Sequence, residues 1–207
     1  METNRQTHEF GPFAREDSKV LVLGSFPSVK SREQGFYYGH PQNRFWRLMA
    51  ILFEGGGHID GVSNQAVPKT KDEKQAFAER HRIALWDVIA SCDIKGSSDS
   101  SIRNAEVNDL GLIIPNTNIE TILVNGAAAW KLFEKKMLPR AEELGIEREN
   151  CIKMPSTSPA NAQWTMPLLI EVWGEALGLG HKPRRIGQRH RNDRKRNERK
   201  KQSERSI

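Results

Sequence analysis

The residues best suited to chemistry lie in one long segment, residues 24–46, which reads GSFPSVKSREQGFYYGHPQNRFW. It holds an aromatic run at 36–38, then His40, and then Asn43 just before an apolar stretch. Aromatic rings, an amide side chain and the free amides of a helix N-terminus suit a planar, hydrogen-bonding ligand such as a nucleobase. The plainer alternative is that the aromatic residues belong to the core and that Asn43 only caps a helix.

These residues must be positioned by regular elements, which the apolar pattern predicts. Short apolar runs ending in turn residues predict strands, and apolar residues at helical spacing predict helices. The predicted strands are 20–24, 119–124 and 151–154, with a further short apolar piece at 83–90; the predicted helices are 43–53, 72–82 (polar, on the surface), 127–137 and 165–178.

Strands that alternate with helices indicate a parallel sheet covered on both faces, with its site at the carboxyl ends of the strands. Two polar loops follow predicted strands and reach that edge, residues 24–46 and residues 155–161 (PSTSPAN). A connection as long as the first is typical of a functional loop. We therefore expect the two loops to form one site.

Positive charge is concentrated in the last part of the chain. Residues 182–207 carry twelve Lys and Arg against three Asp and Glu, a net charge of +9, whereas the whole chain is +6 and the remainder about −3. Such a polar segment with almost no apolar residues is typical of disorder and of binding to phosphate polymers.

The two cysteines, Cys92 and Cys151, are far apart in the sequence. They exclude a disulfide framework and do not support a four-cysteine metal site. No secretory signal or apolar stretch of membrane-spanning length is recognisable. We expect an intracellular protein, cytoplasmic or nucleoid-associated if the source is prokaryotic.

The two loops resemble a known family. GSFPS at 24–28, followed by FYYGHPQNRFW at 36–46, is similar to the first motif of the mismatch-specific uracil/thymine-DNA glycosylases, and MPSTSPANA at 154–162 is similar to their second motif. These variants, with GSSDSSI at 96–102, resemble the hypoxanthine-DNA (deoxyinosine) glycosylase branch of the uracil-DNA glycosylase superfamily, also called family six. The resemblance covers residues 18–178.

The resemblance implies a fold, a reaction and a partner. The fold is α/β, a three-layer α/β/α sandwich around a mostly parallel four-stranded sheet. The reaction is excision of a deaminated base (hypoxanthine, or else uracil or xanthine) by base flipping and hydrolysis of the N-glycosidic bond, during base excision repair. The partner is DNA containing deaminated bases, and we expect a monomer with no cofactor, no metal and no membrane contact.

The resemblance also assigns roles to residues. Related enzymes position the attacking water with an asparagine where this chain has Ser25, and the role passes to Asn43, because an amide can align water without acting as a base. Base-binding roles fall on Ser25, Phe26, Tyr38 and His40, with Tyr38 as the stacking aromatic and the amides near Phe26 or Ser158 stabilising the departing base. DNA contacts fall on Ser156, Ser158 and Asn161, and the duplex wedge of relatives aligns with Ala160.

Other polar residues have plainer explanations. Lys30 lies near the site, where a lysine could form a Schiff base, but a solvated or phosphate-facing lysine is the simpler interpretation. Asp87 and Asp93 form no recognisable acid–base pair and are predicted to cap a helix or a turn. His58 and His81 are predicted to be solvated, and Trp86, Trp130 and Trp173 to be core.

We divide the chain into an N-terminal extension (1–17), a glycosylase domain (18–180) and a basic, disordered tail (181–207). One alternative is a non-catalytic nucleic-acid-binding module that relies on the tail, favoured by the loss of asparagine at position 25. The other is a small-molecule nucleotide enzyme on an open α/β sheet, which ranks last because the chain lacks the glycine-rich phosphate loops of such enzymes.

Overall fold

The computed structural model describes residues 5–95 and 101–179. The predicted tail and most of the segment 96–102 lie outside these residues. The described elements are, in chain order, β1 (Arg5–Thr7), β2 (Val20–Gly24), α1 (Val29–Gln34), α2 (Phe45–Phe53), α3 (Lys71–Arg80), β3 (Ile83–Asp87), β4 (Ile89–Asp93), β5 (Arg103–Val107), β6 (Thr121–Asn125), α4 (Ala127–Lys136), α5 (Leu138–Glu143), β7 (Cys151–Met154) and α6 (Met166–Ala176).

The main sheet has four strands in the order β3-β2-β6-β7, and every neighbouring pair is parallel. The prediction of a mostly parallel four-stranded sheet is therefore confirmed. Strands β2, β3 and β6 are short apolar runs that are buried almost throughout, as expected when helices cover both faces.

The order of the strands places the helices on opposite faces. The chain steps from β2 to β3 in one direction and from β6 to β7 in the other, so right-handed crossovers put α2 and α3 on one face and α4 and α5 on the other. Helix α6 packs against α2. The predicted three-layer architecture follows, and the direction of winding changes between β2 and β6, where open α/β sheets bind ligands.

A second, smaller sheet was not predicted. Its antiparallel order is β1-β4-β5, and β4 continues almost directly from β3 after Val88. The apolar piece predicted at 83–90 is thus two strands belonging to two sheets. Strand β1 comes from the segment assigned to an N-terminal extension, and farther along this segment Phe13 forms a bridge with Leu85. The domain limits remain a prediction.

The long loop 24–46 contains a short helix that the apolar pattern did not predict. Ser28 caps α1 by accepting from the Ser31 amide at 3.1 Å, and Gly35 ends it in the left-handed region, with φ of 61°. The Ser31 hydroxyl also accepts from the Gly39 amide at 3.0 Å, which ties α1 to the residues that follow. The predicted helix 43–53 begins two residues late, at Phe45.

The core confirms the predicted burial of Trp86 and Trp173, while Trp130 is half-buried against it. His81 is not solvated as predicted: its side chain is 15% exposed and packs on Phe53 and Phe77, whereas His58 is exposed. Across residues 5–95 and 101–179, no helix has the length and apolar character of a membrane span.

Candidate active site

A cavity of about 280 Å³ opens at the carboxyl edge of the main sheet. Strands β2, β3 and β6 end there at Gly24, Asp87 and Asn125, and the loops 24–46 and 155–161 close it from the sides. The cavity is lined by Gly24, Ser25, Phe26, Pro27, Ser28, Ser31, Tyr37, Tyr38, His40, Asn43, Asp87, Asn125, Ser156, Thr157, Ser158 and Pro159. The two loops thus meet at one site, as their positions after parallel strands predict.

The side chain of Asn43 is held in one orientation by two donors. Its Oδ1 accepts from the Phe45 amide at 3.0 Å and from the Thr157 hydroxyl at 3.0 Å. The bond from the Phe45 amide is the helix-capping contact that the plainer interpretation of Asn43 predicts. The N-cap position of α2 itself is occupied by Arg44. Because both donors engage the oxygen, the amide nitrogen Nδ2 is the atom of Asn43 left to meet a ligand in the cavity.

Backbone groups determine the direction of this network. The Thr157 amide donates to Asn125 Oδ1 at 3.0 Å, so Asn125 Nδ2 donates to the Thr157 hydroxyl, also at 3.0 Å. The hydroxyl must then donate its own hydrogen to Asn43 Oδ1. Asn125 and Thr157 are both buried, so each polar atom depends on its partner, and the network rigidifies the wall beside Asn43.

Asp87 places a buried carboxylate at the floor of the cavity. Its Oδ2 lies 2.8 Å from His8 Nε2, and the two side chains are only 7% and 5% exposed. The prediction that Asp87 caps a helix or turn is wrong, because Asp87 is the last residue of β3 and its carboxylate pairs with a residue from the N-terminal segment. Oδ2 is held by His8, while Oδ1 lies over Gly24.

The tyrosine hydroxyl of Tyr38 shares the space over Gly24 with Asp87. A β-carbon at position 24 would lie 2.3 Å from Asp87 Oδ1 and 3.5 Å from Tyr38 Oη, so only glycine leaves room for both groups. Burial is the main cause of the raised pKa of Tyr38, and the charge of Asp87 raises this pKa further, whereas the Asn125 side chain lowers it. Tyr38 Oη is buried and makes no hydrogen bond within the described ranges. Its raised pKa keeps it a neutral hydroxyl, which can donate a hydrogen bond.

The loop 155–161 is shaped by the guanidinium of Arg44. It donates to the carbonyls of Ser156 (3.3 Å), Thr157 (3.2 Å), Ser158 (2.8 Å), Asn161 (3.1 Å) and Trp164. Burial lowers the pKa of Arg44, but a guanidinium stays charged. One side chain from the first motif therefore holds the second motif, including Thr157, against Asn43.

We predict that Arg44→Ala lowers the free energy of unfolding by about 2–4 kcal/mol, because several charge-assisted hydrogen bonds are lost together. Urea unfolding followed by tryptophan fluorescence measures this loss. Arg80→Ala is the control, since Arg80 only makes an exposed ion pair with Glu54, which contributes about 0–1 kcal/mol. Equal losses for both variants would contradict the role given to Arg44.

The structure brings most of the predicted site residues together. Asn43, Ser25, Phe26, Tyr38, His40, Ser156 and Ser158 all line the cavity. One face of the Tyr38 ring is covered by Phe45, with ring centroids 3.9 Å apart. Asn161 lies outside the cavity and donates from Nδ2 to the Ser156 carbonyl at 3.0 Å, and Ala160 is exposed beside it. The roles of these residues remain predictions.

Lys30 lies away from the cavity. Lys30 is exposed, pairs with Glu33 at 2.7 Å and does not line the cavity. Among the described residues, no three His, Cys, Asp or Glu side chains are grouped as metal ligands. Cys92 and Cys151 are free and buried.

Sequence reasoning missed Asp87, His8, Asn125 and Thr157. Two of them carried a usable signal, because Asp87 and Asn125 end strands whose carboxyl edge was expected to hold the site. Thr157 stands inside the second motif, but nothing in the sequence shows that its hydroxyl reaches Asn43. His8 carried no signal, since it lies 79 residues from Asp87 in the chain.

Comparison with known proteins agrees with this geometry. The family model of the uracil DNA glycosylase superfamily matches residues 10–176. A hypoxanthine DNA glycosylase of Methanosarcina acetivorans is 34% identical over 151 residues, 72% of this chain and 85% of the relative. One of Methanosarcina barkeri is 32% identical over 118 residues, 56% and 69% of the two chains. The solution NMR structure of a uracil DNA glycosylase candidate from Methanosarcina acetivorans superposes with a TM-score of 0.61 at 28% identity, over 82% of this chain and 96% of that one.

Proposed function

The chain belongs to the uracil DNA glycosylase superfamily. We propose on this basis that it is a monofunctional DNA glycosylase that excises deaminated bases in base excision repair, with hypoxanthine as the preferred base. The observation that carries the proposal is the pairing of Asp87 Oδ1, an acceptor, with Tyr38 Oη, a donor, over Gly24 at the floor of the cavity.

This pairing is complementary to the edge that deamination creates. Deamination turns an amino group beside a ring-nitrogen acceptor into a carbonyl beside an N–H, as in hypoxanthine and uracil. A carboxylate accepts from that N–H but repels the ring-nitrogen lone pair of adenine or cytosine, while a hydroxyl donates to the new carbonyl. Guanine and thymine share the deaminated edge, so their exclusion depends on cavity shape and on the cost of flipping a well-paired base.

The bond that breaks is the one between C1′ of the sugar and the ring nitrogen of the base. Its electron pair leaves with the base, and an oxocarbenium-like sugar is attacked by water, whose proton ends on the free base. We assign Asn43 Nδ2 to hold the attacking water or the departing base, since Oδ1 is already engaged by Phe45 and Thr157. The base-binding roles of Ser25, Phe26 and His40 and the DNA contacts of Ser156, Ser158 and Asn161 belong to the same proposal.

Hydrolysis, rather than lyase chemistry, is supported by the lining of the cavity. No lysine is among its described lining residues, and Lys30 is directed into an ion pair with Glu33. A Schiff-base mechanism needs an amine at the reacting carbon. We also propose that the protein acts as a monomer, since the lining residues of both motifs come together within one chain, and that it acts inside the cell, where its DNA substrate is.

The test is a glycosylase assay over deoxyinosine, deoxyuridine, deoxyxanthosine and mismatched thymidine, each in single- and double-stranded DNA. We expect alkali-dependent strand breaks at deoxyinosine, no breaks without alkali, and no adduct trapped by borohydride. Breaks that appear without alkali, together with a trapped adduct, would contradict the monofunctional assignment. Binding to the lesions with no excision at any of them would instead favour the non-catalytic module.

A further inference from the structure

A second cavity of about 490 Å³ adjoins the base cavity and shares three of its lining residues, Tyr38, His40 and Asn43. Its other walls come from the end of α1, the loop 39–42, the start of α2, the segment 64–69 and helix α3. A ligand that places a base near Asn43 therefore has this second cavity as its direct neighbour.

The charge of this second cavity has one sign. Among the described residues it is lined by Arg44, Arg47, Lys69 and Lys74, and by no aspartate or glutamate. Arg44 is committed to the carbonyls of the loop 155–161, which leaves three cations. Arg47 donates to the neutral amide oxygen of Asn64 at 2.5 Å. Cations collected in a concave site without carboxylates attract anions.

Lys74 is the unusual member of this group. Helix α3 was predicted to lie on the surface, yet Lys74 is only 4% exposed. Its ammonium donates to the neutral Gln34 Oε1 at 3.0 Å and lies 5.9 Å from the centre of the Trp46 ring. Burial lowers the pKa of Lys74, and the charge of the nearby Glu73 raises it by less. The Glu73 carboxylate itself accepts from the Lys69 and Thr70 amides.

A buried ammonium with a neutral partner is costly unless an anion completes the site. We propose that the second cavity binds a backbone phosphate of the DNA strand, next to the flipped nucleotide, with Lys74 and Arg47 as its cationic contacts. The proposal rests on DNA being the substrate. It also gives residues 1–181 a positively charged surface for DNA, although their net charge is about −3.

The test compares Lys74→Met with Lys135→Met. Methionine keeps the volume of the stem against Trp46 and removes the charge, and Lys135 is an exposed residue in the last turn of α4. Affinity is measured for a duplex containing 2′-fluoro-deoxyinosine, a substrate analogue that resists cleavage, at several salt concentrations. Losing one phosphate contact should weaken binding. It should also reduce the salt slope, the slope of log affinity against log salt concentration, by about 1 for Lys74→Met only.

The contact is then located with DNA in which single phosphates near the lesion are replaced by neutral methylphosphonates. One replacement should weaken binding to the wild-type protein and have little further effect on Lys74→Met. If Lys74→Met does not fold, Arg47→Gln, at the same cavity, should show the same slope change and the same loss of additivity.

Two outcomes overturn the inference. In one, Lys74→Met has the same salt slope as Lys135→Met; in the other, every methylphosphonate effect adds fully to that of the variant. If the wild-type protein excises deoxyinosine in either case, only the phosphate site is wrong. If it neither binds nor excises deoxyinosine, the proposed function itself fails.

Discussion

Replacing Asn43 with alanine should reduce single-turnover excision of hypoxanthine by at least about 100-fold, the scale of losing one positioning or transition-state contact. The reason is that Nδ2 of Asn43 is its remaining hydrogen-bonding atom at the cavity, since Oδ1 accepts from Phe45 and Thr157. The free energy of unfolding should fall by no more than a lost cap, about 0.5–2 kcal/mol. Rates at saturating enzyme, with urea unfolding of the same protein, measure both effects.

Asn43→Asp separates the two roles open to this side chain. Aspartate keeps an oxygen for the Phe45 amide and the Thr157 hydroxyl but cannot donate from the position of Nδ2. If Asn43 acts as a donor, the aspartate variant is as slow as the alanine variant. Retained or increased activity of Asn43→Asp would show that an acceptor for water suffices, and a folded alanine variant at full rate would remove Asn43 from the chemistry.

Replacing Asp87 with asparagine should lower the rate of hypoxanthine excision by about 100-fold or more. It should also reduce the ratio of the excision rate of hypoxanthine to that of adenine. A site built to bind a substrate N–H discriminates strongly because its own polar groups are left unpaired by the wrong base. The variant keeps the shape of the side chain beside Gly24 but removes the charge that faces His8. Single-turnover rates on deoxyinosine and on deoxyadenosine measure both changes.

The matched control for this prediction is Asp93→Asn. Asp93 also ends a strand, β4, but it accepts from Asn104 Nδ2 at 2.7 Å and does not line the cavity. A substrate containing 1-deazahypoxanthine, which lacks the ring N–H, should be poor for the wild-type protein and no worse for Asp87→Asn. If the two losses add fully, Asp87 does not contact that N–H.

The parallel sheet and the meeting of the two loops could be predicted from local patterns in the sequence. Apolar runs at 20–24 and 151–154 match observed strands residue for residue, and the helices predicted at 127–137 and 165–178 differ from α4 and α6 by one or two residues at their ends. Burial patterns of strands and helices repeat over a few residues, so they can be recognised locally. Parallel strands then bring their carboxyl ends, and the loops that follow, to one edge.

The partners of the site residues, in contrast, depend on how distant segments pack together. His8 reaches Asp87, 79 residues farther along the chain, because β1 pairs with β4, which continues from β3. No local pattern predicts an antiparallel pairing between segments so far apart. Lys74 stands in a helix whose polarity predicts exposure, yet the packing of α3 buries its ammonium beside Trp46. Hydrogen bonds and charge pairs depend on distances of a few ångströms between distant segments, and those distances exist only once the layers have packed.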